Sequence, residues 1–162
     1  MSTAICPGSF DPITVGHLSI IRRAASIFDN VVVCIMFNST KISPMFTIEE
    51  KLDMACKAVA DIPNVTVDTF SGLLVEYAKR YDKPVIVKGL RAASDFEYEF
   101  QMNLINKRLN PDIDTMFLPA SEKYTFLSSS VVRELAHYGA NLKGLVPDEL
   151  IPFIEEKAKQ WR

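Results

Sequence analysis

A chain of 162 residues, 48% hydrophobic and 23% charged, can bury one real core without disulfide staples and has the make-up of a soluble globular domain. Its net charge of −2 argues against a nucleic-acid binder relying on a broad basic surface, but leaves room for a small anion held in one local basic pocket. Cys6, Cys34 and Cys56 form no C-x-x-C pair and read as reduced core residues of a cytosolic protein, not as a disulfide frame or zinc site. No basic stretch followed by an apolar core marks a secretory signal, and no apolar run approaches the roughly 20 residues of a membrane span.

In chain order, residues 3–6 are short and mostly apolar and predict a buried strand. Pro7-Gly8-Ser9-Phe10-Asp11-Pro12 breaks it, and Thr14-Val15-Gly16-His17 leads into a helix whose apolar residues Leu18, Ile21, Ala25 and Phe28 recur at helical spacing. The β-branched run 31–37 predicts a strand buried on both faces. A polar loop, 38–44, carries the cation Lys41. Thr47-Ile48-Glu49-Glu50 is a capping box, opening a helix with Ile48, Leu52, Ala55 and Val59 on one face. Residues 65–70 predict a third strand, and Ser71 is placed to cap a third helix through Leu74, Val75 and Ala78. A fourth strand at 85–87 stops at Lys88-Gly89-Leu90-Arg91. Ser94-Asp95-Phe96-Glu97 reads as another capping box.

The helix that box opens carries two apolar stripes, Phe96, Phe100 and Leu104 on one and Tyr98, Met102, Ile105 and Leu109 on the other. That is more than one sheet contact needs, so it predicts either a subunit interface or a wide core face. Residues 114–118 give a fifth strand, Ser128, Ser129 and Ser130 stand at a helix start, and Pro147 opens a last helix with Leu150, Ile154, Ala158 and Trp161 on one side. Five strands alternating with helices over residues 1–162, without linker or repeat, predict a single α/β domain. Its expected architecture is a doubly wound, Rossmann-like, five-stranded parallel sheet flanked by helices.

In such sheets ligands bind beyond the carboxyl ends of the strands. Ser9 and His17 follow the first predicted strand, Lys41 the second, Lys88 and Arg91 the fourth, and the serines 128–130 the fifth. Cations, hydroxyls, glycine turns and one imidazole suit phosphoryl or nucleotidyl transfer by positioning and charge neutralisation. The sequence holds neither GxxxxGK[ST] nor GxGxxG, which argues against a P-loop NTPase and a dinucleotide oxidoreductase. Mg2+ commonly binds through substrate phosphates and water, so the lack of an Asp cluster is no objection to it.

Thr14-Val15-Gly16-His17 resembles the T/H-x-G-H signature of the nucleotidyltransferase superfamily, and residues 127–133 resemble its I-S-S-x-x-x-R/K motif. Together with Pro7-Gly8-Ser9-Phe10-Asp11-Pro12, Lys88-Gly89-Leu90-Arg91 and Asp95-Phe96-Glu97-Tyr98-Glu99, they resemble the phosphopantetheine adenylyltransferase family over almost the whole chain. That resemblance implies transfer of AMP from ATP to 4′-phosphopantetheine, giving dephospho-coenzyme A and pyrophosphate with Mg2+, by in-line attack and without a covalent enzyme intermediate. It implies His17, Lys41 and Ser9 as catalytic residues and Ser9, Lys41, Leu74 and Lys88 as the acceptor site. For ATP it implies Ser9, Phe10, His17, Gly89, Leu90, Arg91, Glu99, Tyr124, Thr125, Phe126, Leu127, Ser128, Ser129 and Ser130. It also implies a cytoplasmic homohexamer restrained by coenzyme A, without nucleic-acid or membrane partners. Relatives often carry Thr at position 9 and Arg at position 88; Lys88 keeps the charge but loses the bidentate fork.

Simpler roles stand beside these. His17 could cap a helix, Lys41 could be a solvated charge, and Lys88 and Arg91 could pair with Asp95 or Glu99. The serines could be N-caps, Leu74 could be core, and His137 reads as surface. A nucleotide-binding regulatory module without catalysis, or a sister enzyme acting on nicotinamide mononucleotide, is the alternative function.

Overall fold

The structure, a computed structural model, describes residues 1–37 and 43–161. Along the chain run β1 (Thr3–Gly8), α1 (Val15–Ile27), β2 (Asn30–Phe37), α2 (Ile48–Ala58), β3 (Val65–Ser71) and α3 (Leu74–Ala78). They are followed by β4 (Val85–Leu90), α4 (Ala93–Leu109), β5 (Asp114–Pro119), α5 (Ser129–His137) and α6 (Ile151–Gln160). The strands form one parallel sheet in the order β3-β2-β1-β4-β5, the doubly wound, Rossmann-like arrangement expected from the alternation of strands and helices.

Strand alternation divides the core between the two faces of the sheet. Ala4, Cys6, Val31, Val33 and Ile35 point into the larger cluster, which also takes Leu18 and Ile21 of α1, Met54 and Ala55 of α2, Val132 of α5 and Ile154 of α6. Ile5, Val32 and Cys34 point the other way, onto Val75, Tyr77 and Ala78 of α3. The second face is thin. α4 lies there against β4, β5 and α3 and buries none of its residues.

Strand pairing also makes the opening that matters. β1 and β2 stay in register from Thr3↔Asn30 to Gly8↔Ile35, but β1 and β4 pair only at Ala4↔Val85 and Ile5↔Ile86. Beyond those pairs the two strands part at their carboxyl ends. This is the topological switch point, because the chain leaves β1 toward β2 on one side and returns through β4 on the other.

Several local expectations change. Ser71 ends β3, paired with Phe37, and α3 starts behind Leu73 with no side-chain cap. The predicted box at Ser94 is absent: Ala92 is the N-cap of α4, and Asp95 reaches back to Arg91 instead. Cys6 and Cys34 are buried, whereas Cys56 is exposed. The apolar stripes of α4 are not a core face; Tyr98 is 63% exposed and Leu104 54%. The box at Thr47 is present in full, with Glu50 also receiving Lys157 of α6.

The turn after β1 is held by a buried carboxylate that no local sequence signal marks. Asp11 accepts the backbone N–H groups of Met45 and Phe46, each at 3.0 Å. Lys51 Nζ stands 4.0 Å and Arg133 Nη1 3.6 Å from its oxygens. Arg133 Nη1 also donates to the Asp11 carbonyl at 2.7 Å. Asp11→Ala would strand the buried N–H groups of Met45 and Phe46 and remove the carboxylate that Lys51 and Arg133 face. The expected cost is about 3–5 kcal/mol, measured by urea unfolding.

Candidate active site

Between the parted ends of β1 and β4 lies a cavity of about 330 Å³. Cys6 and Pro7 of β1 form one wall and Val87, Lys88 and Gly89 of β4 the other, with Gly16 and His17 of α1, Tyr124, Leu127 and the first residues of α5 around them. Gly89 is needed for packing: a Cβ there would lie 2.9 Å from Ile20 Cγ1, so α1 could not sit as close to β4.

His17 is set by the way α1 begins. Thr14 is the N-cap, and its hydroxyl accepts the His17 N–H at 3.2 Å while His17 Nδ1 accepts the Thr14 N–H at 3.0 Å. This is a capping box with histidine in the place usually taken by Glu or Gln. Because Nδ1 accepts from an amide, the neutral ring carries its proton on Nε2. Phe10 closes the other side, its ring edge-on to the imidazole with centroids 4.9 Å apart. Phe10 adopts φ +47, a left-handed backbone that non-glycine residues rarely hold, and a Cβ on Gly8 would lie 3.0 Å from its ring. Burial, and secondarily the charge of Arg91, push the His17 pKa down to about 4. At neutral pH His17 is therefore an uncharged hydrogen-bond donor.

The cations around the cavity are partnered. Lys88 Nζ lies 3.3 Å from Glu99 Oε2. Arg91 Nε lies 3.4 Å from Asp95 Oδ2, and Arg91 Nη1 donates to the Leu127 carbonyl at 3.1 Å. At the start of α5, Ser128 caps the helix through Val131 N–H at 3.2 Å, and the Ser129 hydroxyl donates to the Pro12 carbonyl at 2.8 Å. Cys6 borders the cavity, but burial pushes its thiol up to about 12, so it offers no thiolate nucleophile at neutral pH.

A second cavity, of about 290 Å³, lies on the far side of the β1 end, lined by Ser9, Leu73, Leu74, Tyr98 and Met102 among others. Pro7, Lys88 and Glu99 border both cavities. The residues expected to bind ATP thus divide. Phe10, His17, Gly89, Arg91, Glu99, Tyr124, Leu127, Ser128 and Ser129 line the first cavity, and Ser9 does not. Leu90, Thr125, Phe126 and Ser130 line neither cavity, and Phe126 is 61% exposed. Ser9, Leu74 and Lys88, expected at the acceptor site, all line the second. Lys41 lies outside the described residues. Thr14 and Asp11 carry no role of their own in the sequence expectations, whereas the pairing of Lys88 and Arg91 with Glu99 and Asp95, expected there as their simpler role, is present. The T-x-x-H spacing contained the signal for Thr14, since it is the capping-box spacing with one substitution.

A cytidylyltransferase-like family model matches residues 5–135, so fold and site together define a nucleotidyltransferase of that class. The phosphopantetheine adenylyltransferase of Dictyoglomus turgidum is 54% identical, over 98% of this chain and 99% of its own. That of Caldanaerobacter subterraneus subsp. tengcongensis is 51% identical over 99% of both, and that of Clostridium tetani 54% over 98% of both. A crystal structure from Vibrio parahaemolyticus, provisionally named a nicotinate-nucleotide adenylyltransferase, has a TM-score of 0.69 and 17% identity, covering 95% of this chain and 99% of that one; it bears on the fold alone. The chain belongs to the phosphopantetheine adenylyltransferase family.

The protonation of His17 can be followed directly. In imidazole nitrogen NMR the ring should stay in the Nε2–H form from pH 8 to about 5 and titrate near pH 4. The folded pKa lies below the unfolded value, so the unfolded chain binds the extra proton first. Stability should therefore fall as pH drops from about 6.5 toward 4. A midpoint near 6.5 would contradict the geometry.

Proposed function

We infer that the chain transfers the adenylyl group of ATP to 4′-phosphopantetheine, releasing pyrophosphate and forming dephospho-coenzyme A. The observation that carries this reading is the pair of cavities sharing Lys88 and Glu99 at one wall, in a chain whose near full-length relatives bear that enzyme's name. ATP belongs in the cavity between β1 and β4. Its α-phosphate then meets His17, and its β- and γ-phosphates meet Arg91, Ser129 and the α5 N-terminus, whose N–H groups favour anions. The acceptor belongs in the second cavity, with the pantetheine arm along Leu74 and its phosphate at Ser9 and Lys88; Lys41 is proposed to join them.

The chemistry is a single displacement. An oxygen of the acceptor phosphate bonds to the α-phosphorus, the bond to the bridging oxygen breaks, and its electron pair leaves on pyrophosphate. Negative charge gathers on the α-phosphate as this happens, and the neutral His17 donates Nε2–H to it. Lys88 can turn from Glu99 toward the acceptor phosphate. With the Cys6 thiol protonated and no enzyme nucleophile required, the transfer is direct.

Mg2+ fits this site through its substrate. Among the described residues no group of three or more His, Cys, Asp or Glu side chains could hold a metal ion, so phosphate oxygens and water would provide its ligands. When bound, it would supply positive charge to offset that of the pyrophosphate leaving group. Assembly into a hexamer, restraint by coenzyme A and a cytoplasmic setting belong to the same proposal. The exposed apolar residues of α4 support the assembly, and among the described residues no helix is long and apolar enough to cross a membrane.

The test is Mg2+-dependent pyrophosphate release from ATP with 4′-phosphopantetheine, nicotinamide mononucleotide or no acceptor. Release with 4′-phosphopantetheine alone is expected. Release with nicotinamide mononucleotide instead, or silence from a protein that still binds ATP, would overturn the reading.

A further inference from the structure

We propose that Asp95 is a positioning residue for the β,γ-phosphate part of the nucleotide site, acting through Arg91. This rests on the nucleotide reading of the cavity between β1 and β4. Asp95 borders that cavity. A carboxylate there repels a polyphosphate, so its presence calls for a compensating role. Its contacts supply one. Asp95 Oδ2 accepts the Arg91 backbone N–H at 3.1 Å and lies 3.4 Å from Arg91 Nε. On the same guanidinium, Nη1 donates to the Leu127 carbonyl at 3.1 Å, one residue before the serines that start α5.

The Arg91 guanidinium is thereby held between Asp95, in the first turn of α4, and the Leu127 carbonyl, in the segment leading into α5. An arginine side chain otherwise carries much rotamer freedom, and fixing it before the ligand arrives removes that cost from binding. The backbone bond does the same for the turn between β4 and α4, which no side-chain cap closes. Arg91 and His17 line the same cavity, so a guanidinium fixed by Asp95 faces the space that His17 also borders.

A purely structural role is the rival, since an acid in the first turn of a helix favours its N-terminus. The two differ in ligand selectivity. AMP probes the adenine, ribose and α-phosphate contacts, and inorganic pyrophosphate probes the place of the β- and γ-phosphates. Calorimetric titration of the full chain should show Asp95→Ala weakening pyrophosphate binding about three- to tenfold, with AMP affinity within about twofold of wild type. Asp95→Asn, which keeps an oxygen for the Arg91 N–H, should lose less. In an Arg91→Ala background the Asp95→Ala effect should vanish. Tighter pyrophosphate binding in both Asp95 variants would show a mere repelling charge and overturn the proposal. Equal weakening of AMP and pyrophosphate, or an effect that persists without Arg91, would overturn it too. Failure of the wild-type protein to bind either ligand would overturn the nucleotide reading itself, and this proposal with it.

Discussion

The hydrogen bond from the Thr14 backbone amide to His17 Nδ1 is the interaction on which the site depends. Any helix leaves its first N–H groups without partners and must satisfy them from side chains or water. Here the residue used for that purpose is the imidazole itself. The start of α1 therefore fixes the ring's tautomer, points its remaining N–H away from the helix end, and does so before any ligand binds. Burial keeps the ring uncharged, so what it offers is a directed hydrogen bond rather than a positive charge. The left-handed Phe10, packed edge-on to the ring, and Asp11, anchored to Met45, Phe46 and Arg133, hold the preceding turn in place.

Around that ring the sheet supplies space and the helices supply charge. The early end of the β1–β4 pairing opens a gap at the switch point, and the cations on its border rest on carboxylates of one helix, α4. Asp95 and Glu99 are one turn apart, matching Arg91 and Lys88 at the end of β4. Two anionic substrates can thus be drawn to a chain whose net charge is −2, because the relevant field is local. α4 presents both carboxylates while burying none of its own residues, so the element that sets the counter-charges is also the one most open to whatever packs on it.

The alternation of strands and helices was legible because β-branched runs such as 31–37 and the box at Thr47 are local signals, and local signals survive folding here. The serines 128–130 were legible for the same reason; Ser128 is an N-cap as its position suggested. Where a residue had two possible partners, sequence alone chose poorly. Ser94 looked like a cap, but the cap lies two residues earlier, at Ala92, and Asp95 bonds Arg91, the pairing offered as the simpler role of that cation. Ser71 looked like a cap and pairs in the sheet. The two stripes of α4 show helical spacing without saying what covers them, because periodicity reports a face and not its neighbour. Asp11 is not legible locally because its partners, Met45, Phe46, Lys51 and Arg133, are at least 34 positions away in sequence.

The central claim is that a neutral, helix-fixed imidazole stabilises the transition state rather than the bound nucleotide. It is tested most directly by measuring kcat and the ATP dissociation constant of His17→Ala together. The account predicts a fall in kcat of about 10²- to 10³-fold, with ATP affinity changed only a few-fold. An unchanged kcat, or a loss confined to ATP binding, would contradict it.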